Sequence, residues 1–91
     1  MEEKVKQMSE LLKVLANENR LLIFCALIHK PMTVSDIGKR IPNISQSALS
    51  QHLSLLKAHG ILNYQKIGQS IIYSIADYRV IKLMNTLYEY Y

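Results

Sequence analysis

The sequence predicts a mainly α-helical domain with a small β-hairpin, arranged as a winged helix-turn-helix over residues 1–91. Three observations predict this fold. A short helix and a polar-striped helix are joined by the tight turn Pro42-Asn43-Ile44, two strand-forming runs flank Gly68, and an amphipathic helix lies near each end of the chain. Helix, turn, helix and hairpin in that order are the winged arrangement.

The composition suits one small domain. The chain has 91 residues, of which 49% are hydrophobic, so it can form one core, and dimerisation would add stability. Its single cysteine excludes an intrachain disulfide and a cysteine-cluster metal site within one subunit, which fits a reducing compartment. No apolar run reaches membrane-spanning length and the first residues are not a signal peptide, so we expect a soluble, cytoplasmic protein.

The first two helices have different apolar patterns. Residues 3–15 carry a narrow stripe, which suits pairing with another helix and consists of Val5, Met8, Leu12 and Leu15. Asn17 can cap a second helix, 18–29, which is apolar almost all round and is therefore predicted to be central and buried. Cys25 lies on this helix, where a packed and inert thiol is the usual outcome.

The helix predicted over residues 45–59 has an unusual exposed face. Ser45 suits its N-cap, and Gly60 suits the left-handed residue that ends it. In place of the Glu and Lys of an ordinary solvated face, it presents short uncharged hydrogen-bonding side chains, namely Gln46, Ser47, Ser50, Gln51 and Ser54. Such a stripe suits contact with base edges, and the alternative is a merely polar exterior.

The rest of the chain supplies a wing and a closing helix. Residues 61–66 and 70–75 read as strands joined by Ile67-Gly68-Gln69. Lys66 and Gln69 lie at the tip, where phosphate and the minor groove are the two alternatives for contact. Asp77 can cap a last helix, 78–91, whose apolar stripe consists of Ile81, Met84, Leu87 or Tyr88, and Tyr91. Both terminal stripes exceed what a small core absorbs, so we expect them to form a homodimer across a two-fold axis.

The placement of charge predicts a nucleic-acid face. The net charge is +4, and none of the seven acidic residues lies between Ile37 and Ala76. We expect the basic side chains of this interval to meet phosphate, namely Lys39, Arg40, Lys57 and Lys66, with Gln69 beside them. We expect the base-reading side chains to reach into the major groove of double-stranded DNA, namely Gln46, Ser47, Ser50 and Gln51. We expect Ser45 to reach into the groove with them, and His52 to do so at the edge of the same face.

Two segments resemble the ArsR-type (ArsR/SmtB) winged-helix transcriptional regulators of bacteria. Residues 15–21, Leu-Ala-Asn-Glu-Asn-Arg-Leu, are similar to the family's Leu-Ala-x-x-x-Arg-Leu opening, and residues 44–53, Ile-Ser-Gln-Ser-Ala-Leu-Ser-Gln-His-Leu, match its recognition-helix signature. The resemblance covers nearly the whole chain. It implies a homodimer joined through the first and last helices, an inverted-repeat operator and, usually, repression relieved by an inducer.

The resemblance also bears on the inducer. Metal-sensing members use a cysteine pair at the start of the third helix, where this chain has Thr33 and Ser35, or Asp and His ligands on the last helix, which here offers Asp77 and Glu89 but no His. We therefore expect no metal and no cofactor. A further branch, which includes the HlyU type and which residues 46–53 also resemble, senses oxidants or reactive sulfur with two cysteines.

Cys25 falls at a position similar to the first cysteine of that branch, but the sequence ends at Tyr90-Tyr91 with no second Cys. Either the chain stops just short of that second thiol, or the switch is absent. A lone thiol can still be oxidised but cannot close an intrasubunit bond. Thiol sensing and an unidentified inducer therefore both stay open.

Other classes of function fit less well. An enzyme is not expected, because there is no Gly-rich phosphate loop and the middle of the chain has no acid for a catalytic pair. A winged helix used only for protein–protein contact is the main alternative, although such domains often lose the basic face. Nonspecific DNA binding would favour more Lys and Arg than the Ser and Gln stripe provides.

Overall fold

The computed structural model describes all residues, 1–91, as five helices and three strands. In chain order these are α1 (Glu2–Leu15), α2 (Glu18–Leu27), β1 (Met32–Thr33), α3 (Val34–Arg40), α4 (Gln46–Ala58), β2 (Leu62–Ile67), β3 (Ser70–Ile75) and α5 (Tyr78–Tyr88). The predicted helices and hairpin are all present in the predicted order. The last helix ends three residues before the end of the chain, at Tyr88 rather than Tyr91.

The sheet has one strand more than the sequence predicted. Residues 32–33 pair antiparallel with β3 as a third strand, so the strand order is β1-β3-β2. The hairpin itself closes with Ile67 opposite Ser70, around the two-residue turn Gly68-Gln69. Gly68 has a φ of 61°, a left-handed conformation that a glycine adopts without strain.

Sixteen buried side chains form one hydrophobic cluster, to which all five helices contribute. Phe24 and Ile23 of α2 are completely inaccessible, which confirms that α2 is the central helix. No polar or charged side chain is buried in it. None of the helices has the length and apolar character needed to cross a membrane.

The assignment of Leu15 and Met84 to a dimer face is wrong. Both are buried within the protomer, at 3% and 5% exposure, because the inward edge of each terminal stripe packs on the protomer's own core. The outward edge remains open to solvent. Met8 and Leu12 of α1 and Leu87 of α5 are 60%, 49% and 42% exposed.

Candidate nucleic-acid interface

Local chemistry fixes both ends of α4, the helix with the polar stripe. The Ser45 hydroxyl accepts a hydrogen bond from the backbone N–H of Ala48 at 3.0 Å, which is the predicted N-cap. At the other end Gly60 has a φ of 74°, its N–H donates to the Lys57 carbonyl, and the N–H of Ile61 donates to the Leu56 carbonyl. These two bonds form a Schellman motif, so the predicted glycine stop is confirmed.

The inner face of α4 sets how deeply the helix sits. Leu49, Leu53 and Leu56 are at most 2% exposed and pack in the common core. Gly38 of α3 lies against Leu49, where an added Cβ would stand 3.4 Å from the Leu49 side chain. This close approach of α3 to α4 gives the helix-turn-helix its compact corner, and Asn43 turns the chain there with a φ of 60°.

The outer face of α4 presents the predicted stripe to solvent. The exposed residues are Ser45, Gln46, Ser47, Ser50, Gln51 and Ser54. No hydrogen bond within the protomer uses the side chains of the two glutamines or of Ser47 and Ser50. Their donors and acceptors are therefore free for an external partner that offers both, as the floor of the major groove does.

The predicted phosphate-binding side chains surround this face in different settings. Arg40 and Lys66 are exposed and have no ionic partner, and Gln69 lies in the exposed turn of the wing. Lys39 lies 3.8 Å from Asp36 in an exposed pair that holds it only weakly. Lys57 lies over the Tyr64 ring, 5.1 Å from its centroid, so the wing strand β2 restrains this lysine at the end of α4.

His52 is less available than the stripe beside it. The ring is half-buried, and its Nδ1 accepts a hydrogen bond from Nε of Arg20 at 3.2 Å. Burial, and then the charge of Arg20, lower the pKa of His52 below its usual range. The sequence did not reveal this link, because its two residues are 32 positions apart.

The side chains at the positions that the resemblance associates with metal binding have structural roles here. The Thr33 hydroxyl caps α3 by accepting from the N–H of Asp36. The Asp77 carboxylate caps α5 and pairs with Arg79 at 2.6 Å, and this hydrogen-bonded pairing lowers the pKa of Asp77. No group of three or more His, Cys, Asp or Glu side chains converges in the structure.

Cys25 has a partner that the sequence did not predict. It is half-buried, and its Sγ accepts a hydrogen bond from the hydroxyl of Tyr88, a side chain 63 positions away on α5. This bond raises the pKa of Tyr88. The pair lies in an open apolar groove of about 250 Å³ between α2 and α5, which Leu21, Met84, Leu87 and Tyr91 also line.

Comparison with known proteins gives consistent matches. Residues 17–64, which run from the α2 cap into β2, match the family described as bacterial regulatory protein, arsR family. The chain is 38% identical to the transcriptional activator HlyU of Vibrio cholerae over 81 residues, which are 89% of this chain and 74% of that protein.

Solved structures match over the whole chain. Reduced HlyU from Vibrio cholerae superposes with a TM-score of 0.91 at 36% identity, covering 100% of this chain and 95% of that one. A homodimeric winged helix-turn-helix DNA-binding domain from Mycobacterium bovis superposes with a TM-score of 0.78 at 26% identity, covering 93% and 78%.

Proposed function

Because this chain belongs to the ArsR family of bacterial regulatory proteins, a family of DNA-binding transcription regulators, we propose that its homodimer represses transcription by binding an inverted-repeat operator through its two α4 helices. The inverted-repeat symmetry of the operator and the choice of repression over activation are inferred from the family resemblance. In such a dimer the two α4 helices should lie about one DNA turn apart, roughly 34 Å, so that each reads one half-site.

The observation that carries this proposal is the free polar stripe of α4. Gln46, Ser47, Ser50 and Gln51 are exposed, uncharged and without intramolecular side-chain partners. A Gln side chain can bond to N6 and N7 of adenine together, and Ser is short enough to let the helix enter the groove. We assign base reading to these four side chains, with Ser45 and His52 at the two edges of the face.

The basic side chains around α4 would position the helix without reading sequence. Lys39 and Arg40 lie in the last turn of α3 and Lys57 in the last turn of α4. Lys66 and Gln69 lie on the wing. Phosphate contacts of this kind release counterions, so their contribution falls as the salt concentration rises. A partner-binding winged helix without DNA affinity would have no need to keep the interval from Ile37 to Ala76 free of acidic residues.

A direct test is a fluorescence-anisotropy titration of the protein against duplexes tiled over the DNA upstream of its own gene. One duplex should bind far more tightly than its scrambled version, and Lys66→Ala should weaken both and reduce the slope of log affinity against log salt by about one unit per subunit. Lys6→Ala, on α1, is the charge-matched control. Equal affinity for every duplex would contradict sequence-specific binding.

The contact between Tyr88 and Cys25 favours a second function, thiol-controlled DNA binding. Oxidation of the thiol by peroxide forms an S–O bond, breaks the O–O bond and releases water, leaving a sulfenic acid in place of the hydrogen-bond acceptor that ties α5 to α2. One of the similar solved structures is of reduced HlyU. The partial exposure of Cys25 gives a small oxidant access.

The test compares operator affinity before and after peroxide or persulfide treatment in the wild type and in Cys25→Ser. Loss of affinity in the wild type alone would support a thiol switch. Equal loss in both proteins, or no loss in either, would show that Cys25 serves only in packing.

A further inference from the structure

Arg20 connects three helices through one side chain. It lies in the first turn of α2, where its own N–H donates to the capping side chain of Asn17. Its Nη1 donates to the carbonyl of Val14 in the last turn of α1 at 2.9 Å, and its Nε donates to Nδ1 of His52 in the middle of α4 at 3.2 Å. The last carbonyls of a helix lack intrahelical partners, so the guanidinium also satisfies the end of α1.

The bond to α4 requires a neutral imidazole. Because the guanidinium only donates, Nδ1 of His52 must be unprotonated, which places the ring proton on Nε2. The charged group acting on the ring is Arg20 from α2, and α1 contributes only the Val14 carbonyl to the same guanidinium. No carboxylate bonds to either side chain, so nothing would stabilise a protonated ring beside the arginine.

The hydrogen bond between Arg20 and His52 lies where it can influence the orientation of α4. Leu49, Leu53 and Leu56 fix the depth of α4 in the core and the face that it buries. Apolar contacts are not directional, so a hydrogen bond can set the angle of the helix about its axis more finely than they do. His52 lies on the flank of α4, next to Gln51 of the polar stripe. A hydrogen bond at this flank therefore restrains the direction in which the stripe points.

We propose that Arg20 is a positioning residue that couples the dimer-forming helix α1 to α4, holding the Val14 carbonyl and the neutral His52 ring with one guanidinium. It thereby sets the orientation of both α4 helices in the dimer, and so operator affinity, without contacting DNA. The inference rests on the proposed role of α4 in reading DNA. It adds that acidification weakens operator binding, because a protonated His52 can no longer accept the hydrogen bond from the Arg20 guanidinium.

The direction of this pH dependence distinguishes the hydrogen bond between Arg20 and His52 from an ordinary histidine at a DNA surface. A histidine that only touches phosphate gains charge on acidification and binds DNA more tightly. The hydrogen bond from Arg20 predicts that protonation of His52 instead weakens DNA binding. Its pKa is lowered in the folded chain, so the bond is complete above the ordinary value of 6.5 and is lost as the pH falls through the folded-state value.

The experiment measures operator affinity between pH 8 and pH 5.5 for the wild type, Arg20→Gln and His52→Asn. Asn offers its side-chain oxygen near the position of Nδ1 but does not titrate, and His29 and His59 are present in all three proteins. We expect wild-type affinity to fall on acidification relative to His52→Asn. We expect Arg20→Gln to bind about tenfold more weakly at pH 8 and to lose the His52-dependent part of the pH profile.

Imidazole ¹⁵N NMR of the DNA-free protein gives a readout that does not depend on operator binding. The wild type should show His52 with its proton on Nε2 and a pKa below 6.5, and Arg20→Gln should raise that pKa and mix the tautomers. Identical pH profiles for the wild type and His52→Asn, or unchanged affinity in Arg20→Gln, would overturn the proposal. Failure of the wild type to prefer any upstream duplex would instead overturn the proposed function, while the NMR result would still report on the link.

Discussion

Ser45 has two roles, because it caps α4 and also lies on the proposed DNA-binding face. Two substitutions separate these roles. In Ser45→Ala the N–H of Ala48 loses its 3.0 Å partner, and the exposed first turn of the helix must rely on water. Loss of such a cap costs about 1 kcal/mol of unfolding free energy. For a domain of this size, that lowers the melting temperature by about 4–8 °C.

Ser45→Asp should have the opposite pattern. Aspartate caps as well as serine and interacts favourably with the N-terminus of the helix, where the first turn of α4 carries no acid. Its charge, however, would enter the proposed DNA face at the start of α4, a helix that carries no acidic residue. A carboxylate about 4 Å from a phosphate costs about 1 kcal/mol even at the dielectric constant of water, or on the order of 30-fold in affinity for a dimer with two half-sites.

The assays are thermal unfolding at one fixed protomer concentration, because dimerisation makes the melting temperature depend on concentration, and operator binding at two salt concentrations. Ser45→Thr, which retains a capping hydroxyl, is the matched control. We expect Ser45→Ala to lose stability, and Ser45→Asp to keep its stability and lose affinity most strongly at low salt. An unchanged melting temperature for Ser45→Ala would refute the cap, and wild-type DNA affinity for Ser45→Asp would refute the placement of Ser45 at the DNA face.

Three further predictions concern the dimer, the core and the acid stability. Leu12→Glu combined with Leu87→Glu should give a monomer in sedimentation at micromolar concentration, since both side chains are exposed on the terminal helices; a dimer of unchanged strength would place the interface elsewhere. Leu53→Ala, at 1% exposure, should lower the unfolding free energy by about 2–5 kcal/mol in a urea titration, whereas a loss below about 1 kcal/mol would contradict tight packing beneath α4. The lowered pKa of Asp77 stabilises the fold above its ordinary value of 3.8, and this contribution is lost as the pH falls through the folded-state value. Asp77→Asn, which keeps a capping oxygen, should therefore lose less stability than the wild type on acidification, and parallel acid curves would contradict the pairing with Arg79.

Features decided by near neighbours could be predicted from the sequence. The Ser45 cap and the Gly60 stop involve residues within one turn of the helix end, and their hydrogen bonds are those expected. The order of helices and strands follows from periodicity and the turn at Gly68 in the same way. Local rules are therefore sufficient to define α4 and its exposed face.

Features that depend on distant partners could not be predicted in this way. Strand β1 is only Met32 and Thr33, and it is a strand only because β3 lies beside it. The apolar stripes of α1 and α5 follow the helical period whether a side chain faces the protomer's own core or the outside. The spacing alone therefore could not show that Leu15 and Met84 face the core. The bonds from Arg20 to His52 and from Tyr88 to Cys25 bring together residues far apart in sequence, and no local pattern marks them.

The central claim is that the polar stripe of α4 reads sequence, and Gln51→Ala tests it most directly. The measurement is the ratio of affinities for the operator and for a scrambled duplex of equal length, at one salt concentration. Loss of a base contact should reduce this ratio by about 1–3 kcal/mol per half-site while leaving affinity for the scrambled duplex close to that of the wild type. If Gln51→Ala instead weakens binding to both duplexes equally, the stripe does not read bases and the account of α4 is wrong.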